Sequence, residues 1–250
     1  WNFAAKAAID MAMHDKACKM LGIPLYKYFG ITPREDLETS FTISISDPDT
    51  MKRLTKESPG YKVYKVKVGV PGDIEMVAAV REATTARIRV DANEGWTLKE
   101  AMTRIKELEK LDVEFIEQPL HRDDFDGFRI LRRKVNMPII ADEGVFRAGD
   151  IPKYVGLVDG INIKLSKSGG LREAFKMISV ARAHRMKIMI GCMVETSVGI
   201  TAAAHLAMLV DYADLDGNVL ITDDPYSGVK IKNGCLRLPD GPGLGVTSNK

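Results

Sequence analysis

Cysteine is scarce in this sequence, and the three that it contains are far apart with no CxxC pair: Cys18, Cys192 and Cys235. An odd number of widely spaced cysteines argues against a disulfide framework and against a zinc ribbon. We therefore expect a reducing, cytoplasmic setting. The four histidines are equally scattered and form no metal-binding pair, so each is expected to pack in the core or to lie on a helix surface.

An excess of one charge and a long apolar run are also lacking. Because 36 basic residues balance 34 acidic ones, there is no electrostatic reason to expect nucleic acid or an anionic membrane as a partner. The apolar run at 199–210 contains a histidine and is shorter than the ~20 residues that span a bilayer. We expect a soluble protein that binds a small molecule, and assembly into a homo-oligomer stays open.

The sequence does contain a repeated alternation of short apolar runs with helix-like stretches. Strand-like runs lie at 41–46, 61–69, 87–93, 113–119, 138–144, 160–166 and 187–193. Alternation of strand and helix predicts a parallel sheet. The apolar positions between residues 4 and 13 already follow a helical rhythm, although the chain opens without a methionine or a signal peptide.

Polar residues end the successive runs at an even spacing. The intervals are 24, 26, 25 and 22 residues along the series Lys67, Asp91, Glu117, Asp142 and Lys164. Cys192 follows after 28 residues, and the segment Asp214–Asp216 completes an eighth unit. We predict a TIM-type (β/α)8 barrel with these residues at its carboxyl-terminal mouth. An open doubly wound sheet is the alternative, disfavoured because no GxGxxG loop follows any run.

The stretch VYKVKVG at 63–69 places Lys65 and Lys67 on the same face of one predicted strand. Solvent is the usual environment of such a face. In a barrel, the position of Lys67 at the strand end favours the interior, opposite Lys164, because strands four apart in an eight-stranded barrel lie on opposite sides. Such a pair could remove a proton beside a carboxylate and return it to the other face of the carbon.

Three acids on consecutive strands, Asp91, Glu117 and Asp142, would repel one another at the mouth without a cation between them. Each alone would be read as a helix cap or a solvated loop residue. Carboxylate oxygens suit Mg²⁺, which would offset the charge of an enediolate. As bases, the lysines need pKa values lowered from ~10.4 towards roughly 7 to 8, and Lys65 is expected to lower the pKa of Lys67.

The motifs KVKVG, RVDAN, FIEQPL, IADE and NIKLSKSGG resemble those of the enolase superfamily, in its muconate-lactonizing subgroup. Sites of this superfamily use a Lys or His base with Mg²⁺ stabilising an ene-diolate. The resemblance implies the modified barrel of that superfamily. It also implies Mg²⁺ ligands at Asp91, Glu117 and Asp142 and an acid–base pair at Lys67 and Lys164.

Segments 191–207 and 213–217 are similar to the dipeptide epimerases. That similarity implies that Asp214 and Asp216 hold the α-ammonium of a dipeptide, and that further substrate contacts come from Lys65, from Thr42 and from the backbone of Cys192 and Val194. Asn93 is expected to point the same way as Asp91. Glu143 is expected to point away from the pore, and for Glu143 and Glu195 a structural salt bridge is the better hypothesis.

Members of this family carry an α+β capping domain, which we expect to be largely absent here. Residues 1–30 are then a helix leading in from that domain, 31–235 the catalytic barrel, and 236–250 a C-terminal tail. The expected activity is Mg²⁺-dependent epimerisation of the C-terminal residue of a dipeptide, of the L-Ala-D/L-Glu type, in the recycling of cell-wall peptides. Two alternatives stay open: an o-succinylbenzoate synthase or N-acylamino acid racemase, and a non-catalytic binding barrel.

Overall fold

The computed structural model describes residues 2–249, so that Trp1 and Lys250, the ends of the predicted lead-in and tail, lie outside the described residues. The helices are α1 (Phe3–Leu21), α2 (Leu25–Tyr28), α3 (Pro48–Glu57), α4 (Asp73–Ala83), α5 (Leu98–Lys110), α6 (Phe125–Arg132), α7 (Leu165–Ser168), α8 (Leu171–Ala183) and α9 (Ser197–Ala207). The barrel strands are β1 (Phe41–Ile43), β2 (Val63–Lys67), β3 (Arg87–Asp91), β4 (Val113–Glu117), β5 (Ile139–Ala141), β6 (Gly160–Lys164), β7 (Lys187–Gly191) and β8 (Tyr212–Asp214).

Eight parallel strands form one sheet in sequential order, from β1 to β8. A parallel bridge between Thr39 and Ala213 joins the entry to β1 with β8 and so closes the sheet. The predicted barrel is confirmed, and the open doubly wound sheet is wrong. Two units depart from the regular alternation, because short 3-10 helices at Ala148–Tyr154 and Gly217–Leu220 follow β5 and β8 in place of α-helices.

Local sequence signals explain where the helices begin. The side chain of Asp47 accepts a hydrogen bond from the Thr50 amide at 2.9 Å, and Pro48 occupies the first turn of α3. At α5, Thr97 and Glu100 form a reciprocal capping box. These caps fix the residues at which the loops after β1 and β3 pass into helices.

A close backbone approach brings the ends of β2 and β3 together. Gly69 has a φ of 103°, and a Cβ atom there would lie 2.6 Å from the carbonyl oxygen of Ala92. Glycine is therefore required on both steric and conformational grounds. The register pairs Lys67 with Asp91 and Asp91 with Glu117, so three of the predicted site residues are neighbours.

The interior below the mouth is filled by side chains from several strands. Phe115, Ile140 and Met189 form a small buried cluster there. The guanidinium of Arg89 lies between the rings of Phe115 and Tyr212, at 5.1 and 4.9 Å from their centroids. The barrel is thus a packed core with a single set of polar strand ends above it, as expected of this architecture.

The segment after β8 forms two small antiparallel pairs outside the barrel. Strand β9 (Tyr226–Ser227) pairs with β12 (Thr247–Ser248), and β10 (Lys230–Lys232) pairs with β11 (Cys235–Arg237). Strand β11 crosses the expected boundary between barrel and tail, and the division into domains stays a prediction. Within residues 2–249, no helix combines the length and the apolar character that crossing a bilayer requires.

His205 in α9 has a packing role and gives the fold an acid-sensitive group. The residue is completely buried; its Nε2 lies 3.2 Å from the carbonyl oxygen of Leu244, and its ring stacks on Tyr26. Burial lowers the pKa of His205 from 6.5 to about 4. The folded state therefore binds the His205 proton more weakly than the unfolded state does. The stability that neutral His205 contributes is fully present above about pH 6.5 and is lost as the pH falls towards about 4.

We expect this histidine to cost the wild type about 3 kcal/mol of unfolding free energy between pH 7 and pH 4. Urea unfolding of the full-length protein across that range should show a steeper loss for the wild type than for His205→Leu. His121→Leu is the matched control, because the side chain of His121 is 62% exposed. Parallel pH profiles for the wild type and His205→Leu would contradict this account.

Candidate active site

A cavity of about 600 Å³ opens at the carboxyl-terminal mouth of the barrel. Nine of the eleven predicted site residues line it: Thr42, Lys65, Lys67, Asp142, Lys164, Cys192, Val194, Asp214 and Asp216. The other two, Asp91 and Glu117, are completely buried and contact lysines of the cavity wall. The spacing of strand ends, together with the family resemblance, therefore identified residues that the fold brings together.

Lys65 lies inside the barrel, at the centre of the acidic residues. Its Nζ is 3.0 Å from Asp91, 2.7 Å from Glu117 and 2.7 Å from Asp214. Burial alone would lower the pKa of Lys65, but the three carboxylates raise it well above its ordinary value. Its charge is thus balanced by three partners, which differs from the free cation beside Lys67 that the sequence suggested.

Lys67 faces the same interior but is more accessible, with 27% of its side chain exposed. Its ammonium donates to Asp91 Oδ2 at 2.7 Å and to Asn93 Oδ1 at 2.9 Å. Asn93 lines the cavity beside it, as predicted. These two acceptors orient the ammonium at the rim of the cavity.

Lys164 approaches from the opposite side of the barrel. Its ammonium donates to Asp142 Oδ2 at 2.6 Å, and the residue is 5% exposed. Burial would lower the pKa of Lys164, but Asp142 and Glu117 raise it above its ordinary value. The fall expected for a base is therefore absent in this arrangement, because two carboxylates lie beside the ammonium, and the neighbouring Lys65 offsets their effect only in part.

The three predicted metal ligands end β3 and β4 and follow β5 directly, and all are buried. Burial would raise the pKa of Asp91 and Asp142, but Lys65 and Lys67 lower that of Asp91, and Lys167 and Lys164 lower that of Asp142. Glu117 behaves differently. Burial and the neighbouring Asp91 raise the pKa of Glu117 to about 8, although Lys65 lies close.

Glu117 shows most clearly that the buried acids outnumber the cations beside them. Its Oε1 accepts from Asn162 Nδ2 at 2.7 Å, and its Oε2 lies 2.7 Å from the Lys65 ammonium. Lys65 is shared with Asp91 and Asp214, so that one ammonium faces three buried carboxylates. Within residues 2–249, however, no group of three potential ligands already surrounds one ion position. Lysine ammonium groups contact all three carboxylates instead.

The donor set fits Mg²⁺ on chemical grounds. Three carboxylates on adjacent strands supply the oxygen ligands that this hard cation prefers. A divalent cation would add positive charge beside Glu117 and neutralise the acids that now hold Lys65 and Lys164. Asp91, Glu117 and Asp142 are the residues that could hold it.

We expect Mg²⁺ to raise the melting temperature of the full-length protein. At a hundredfold excess over the dissociation constant, binding to the folded state adds about 2.7 kcal/mol, which is a shift of roughly 5 to 10 °C. Thermal melts with Mg²⁺ and with chelator test this. Glu117→Gln should abolish the shift, whereas Glu107→Gln on the exposed face of α5 should keep it. Equal melting temperatures with Mg²⁺ and chelator would contradict a metal site.

The two aspartates of the DxD motif have different environments. Asp214 accepts from Ser40 Oγ at 2.6 Å and from Lys65 at 2.7 Å, and Lys65 lowers its pKa against the effect of burial. Asp216 accepts from the backbone amide of Thr42 at 2.7 Å, and its other oxygen has the Cys192 thiol 3.9 Å away. Burial and Asp214 raise the pKa of Asp216 to about 6. Asp216 forms no ion pair with any described residue.

Cys192 and Val194 occupy the wall above Asp216. Burial and the two aspartates raise the pKa of the Cys192 thiol, so it carries no thiolate for nucleophilic chemistry. Its thiol points at the carboxylate. Val194 lines the cavity with 66% of its surface exposed.

Two expectations about glutamates are wrong. Glu143 lines the cavity, where it accepts from Asn93 Nδ2 at 2.9 Å, and it makes no ion pair with the described residues. The alternation rule applies within a strand, and β5 has already ended at Ala141. Glu195 accepts from the Met193 amide and Ser166 instead of forming a salt bridge.

Sequence reasoning also missed three polar residues at the site. Lys167 contacts the carboxylate and the backbone oxygen of Asp142. Its position one helical turn after Lys164 was a usable signal, as was the position of Asn162 two residues before Lys164 on the same strand face. Arg122 lines the cavity and binds Glu94 through two nitrogens. No spacing in the sequence singled it out.

Residues 49–250 match the family described as Enolase C-terminal domain-like. The chain belongs to the enolase superfamily. An L-Ala-D/L-Glu epimerase of Bacteroides thetaiotaomicron is 43% identical over 97% of this chain and 64% of that protein. This enolase-superfamily barrel therefore spans about two thirds of the length of that relative.

Solved structures give the same picture of the fold. A dipeptide epimerase of Cytophaga hutchinsonii, complexed with Mg and the dipeptide D-Ala-L-Val, has a TM-score of 0.94 at 30% identity, over 100% of this chain and 71% of that one. An N-succinyl Arg/Lys racemase of Bacillus cereus has a TM-score of 0.93 at 33% identity, over 98% and 69%. Similar barrels are thus found in proteins with different substrates, and the site has to decide between them.

Proposed function

We propose that the full-length protein carrying this chain is a cytoplasmic, Mg²⁺-dependent dipeptide epimerase that inverts the α-carbon of the C-terminal residue, of the L-Ala-D/L-Glu type. The observation that carries the proposal is Asp216, a buried carboxylate that forms no ion pair with the residues from 2 to 249, at the wall of a cavity that Lys67 and Lys164 also line. A free α-ammonium is the group that such a carboxylate binds. Recycling of cell-wall peptides is the setting that this substrate suggests.

The two lysines act as the bases of the reaction. In its neutral form, the lysine on one side removes the α-proton, and the protonated lysine on the other side delivers a proton to the opposite face through an enediolate. Lys67 and Lys164 come from strands four apart in the barrel, so their ammonium groups approach the cavity from opposite sides. Asn93 orients Lys67, and Asp142 orients Lys164, at hydrogen-bond distances.

The remaining groups hold the substrate and the charge that develops on it. Asp91, Glu117 and Asp142 would hold Mg²⁺, which when bound would supply the positive field that makes a proton beside a carboxylate acidic. Lys65 contributes a fixed positive charge from the floor of the cavity. Asp214 keeps Lys65 in place, and Asp216 with the Thr42 backbone forms the end of the cavity that takes the ammonium.

An N-acylamino acid racemase is the second candidate, favoured by the similarity to the N-succinyl Arg/Lys racemase. An acylated nitrogen carries no charge. It would leave Asp216 buried beside Asp214 and add no charge to offset the burial and the repulsion that raise the pKa of Asp216. The electrostatics of this end of the cavity therefore favour a free ammonium over an amide. A non-catalytic barrel does not explain two lysines on opposite sides of three buried acids.

Incubation with L-Ala-L-Glu and Mg²⁺, followed by hydrolysis and chiral chromatography, tests the proposal. The expected products are D-Glu and unchanged L-Ala, with no conversion in chelator. N-succinyl-L-Lys is the comparison substrate. Conversion of the succinylated amino acid without conversion of any dipeptide would replace the first candidate by the second.

A further inference from the structure

Glu143 is a carboxylate of the cavity to which the proposed reaction gives no part. Its backbone amide donates to Gln118 Oε1 at 3.1 Å, and its carbonyl oxygen accepts from Arg122 Nη1 at 3.3 Å. Gln118 is itself completely buried, and Arg122 is held by Glu94 through two nitrogens. The backbone of Glu143 is therefore held from both sides, and its side chain enters the cavity from a fixed point.

One amide joins the side chain of Glu143 to the base Lys67. Asn93 Nδ2 donates to Glu143 Oε1 at 2.9 Å, and Asn93 Oδ1 accepts from the Lys67 ammonium at 2.9 Å. The ion pair of Lys67 is made with Asp91, so among the described residues Glu143 reaches Lys67 through this amide. Because Asn93 is exposed, burial does not fix which end of its amide faces the lysine.

The two neighbours of Asn93 have opposite hydrogen-bond requirements. A carboxylate only accepts hydrogen bonds and an ammonium only donates them, so one orientation of the amide satisfies both. Once Lys67 is neutral, its own requirement weakens, because an amine has two N–H donors and one lone pair and can accept as well as donate. Glu143 then keeps the amide oxygen, and not the NH₂ group, towards Lys67.

The orientation of the amide matters because the lone pair of neutral Lys67 is the part that removes the α-proton. With Asp91 Oδ2 and Asn93 Oδ1 as acceptors, both N–H groups of the amine are occupied, and the lone pair is left for the substrate. A reversed amide would donate to that lone pair and block it. Lys164 does not share this weakness, since its acceptor is the carboxylate of Asp142, which has no N–H to donate.

We propose that Glu143 is a positioning residue for proton transfer at Lys67: it holds the Asn93 amide with its oxygen towards the lysine and so keeps the lone pair of the neutral amine free. This inference rests on the proposed function and adds a residue to the same site. Its consequence is specific, because loss of Glu143 should affect only the substrate epimer that Lys67 deprotonates.

Exchange of the glutamate α-proton in D₂O tests the inference, measured as an initial rate from L-Ala-L-Glu and separately from L-Ala-D-Glu with the full-length protein and Mg²⁺. Glu143→Gln introduces a group that can donate to Asn93 and so permits the reversed amide. We expect exchange to slow at least tenfold for the epimer whose exchange Lys67→Arg abolishes, and to stay within twofold of the wild type for the other epimer.

Glu82→Gln is the matched control, because the side chain of Glu82 on α4 is 66% exposed, and both of its rates should equal those of the wild type. Unchanged rates in Glu143→Gln, or an equal loss for both epimers, would overturn the inference and leave the proposed function standing. If the wild type exchanges neither epimer, the proposed function falls as well.

A double-mutant cycle distinguishes action through Asn93 from a direct effect of the Glu143 charge. Asn93→Gly removes the amide and retains the positive φ of 42° without strain. In that background, Glu143→Gln should change the exchange rate less than twofold, because the amide that it would reorient is gone. A further loss as large as in the wild-type background would show that Glu143 acts by another route, and the inference would be wrong.

Discussion

Replacing Lys164 by arginine is expected to lower kcat for dipeptide epimerisation by about a thousandfold, in the range that general acid–base catalysis contributes. Arginine keeps the positive charge that Asp142 holds at 2.6 Å, so the fold and the metal ligands keep a cationic neighbour. It does not give up its proton at the pH of the reaction. The loss therefore reports the missing base and not a missing charge.

Lys187→Arg is the matched control. Lys187 is the first residue of β7, at the end of the strand far from the cavity, and 57% of its side chain is exposed. It should retain wild-type turnover and wild-type melting temperature. Thermal melts of Lys164→Arg establish that the variant is folded before its rate is interpreted. A folded Lys164→Arg enzyme with turnover within tenfold of the wild type would remove Lys164 from the acid–base pair.

The same variant distinguishes two bases from one. With Lys164 blocked, Lys67 can still remove the proton from the epimer that it faces, but no acid on the opposite side completes the inversion. Solvent exchange without inversion should therefore persist for one epimer. Lys67→Arg should show the same behaviour for the other epimer, and loss of exchange for both epimers in either variant would contradict the division of roles.

Asp216→Asn is expected to lower kcat/KM for a dipeptide by about a hundredfold, since truncation of one partner of a buried charge pair typically costs about 3 kcal/mol. The amide keeps the shape of the carboxylate, and its oxygen can still accept from the Thr42 amide. What is lost is the charge that balances the ammonium. Steady-state kinetics with L-Leu-L-Glu and L-Ala-L-Glu measure the effect.

The same substitution should stabilise the protein. The pKa of Asp216 is raised to about 6, so the folded state holds this proton more tightly than the unfolded state, and the carboxylate destabilises the fold increasingly as the pH rises from about 4 to about 6. Asp216→Asn should therefore gain up to about 3 kcal/mol at pH 8 and nothing below about pH 4.

Activity and stability thus change in opposite directions, which a merely structural aspartate would not produce. Asp126→Asn, at a side chain 88% exposed, is the control for both measurements. Unchanged dipeptide turnover in Asp216→Asn would remove the DxD motif from substrate binding. A fall in both stability and turnover would show that Asp216 supports the fold instead.

Periodicity in the sequence predicted the barrel because the physical rule behind it is simple. Alternation within a strand places Lys65 and Lys67 on one face, and the interval of one strand plus one helix places Asp91, Glu117 and Lys164 at the same end of the barrel. These rules apply to residues inside regular elements. They worked for the strand ends, and the structure brings those residues together in one cavity.

The same rules failed where the chain leaves the strand. Glu143 lies two residues beyond β5, and its direction is set by a turn that alternation does not describe. Arg122 follows β4 in a loop, and its place in the cavity depends on its pairing with Glu94 from the loop after β3. The raised pKa of Lys164 was also missed, because it depends on how closely Asp142 approaches, which spacing alone does not give.

In the proposed mechanism, two lysines exchange the α-proton of the C-terminal residue of a dipeptide with solvent. Proton NMR of the full-length protein with Mg²⁺ in D₂O, first with L-Leu-L-Glu and then with L-Ala-L-Glu, follows this exchange. We expect the glutamate α-proton signal to be lost to deuterium and the D-Glu epimer to appear, while the α-proton of the first residue is retained. Retention of the glutamate α-proton in both dipeptides, in a protein that melts as folded and binds Mg²⁺, would rule out this mechanism.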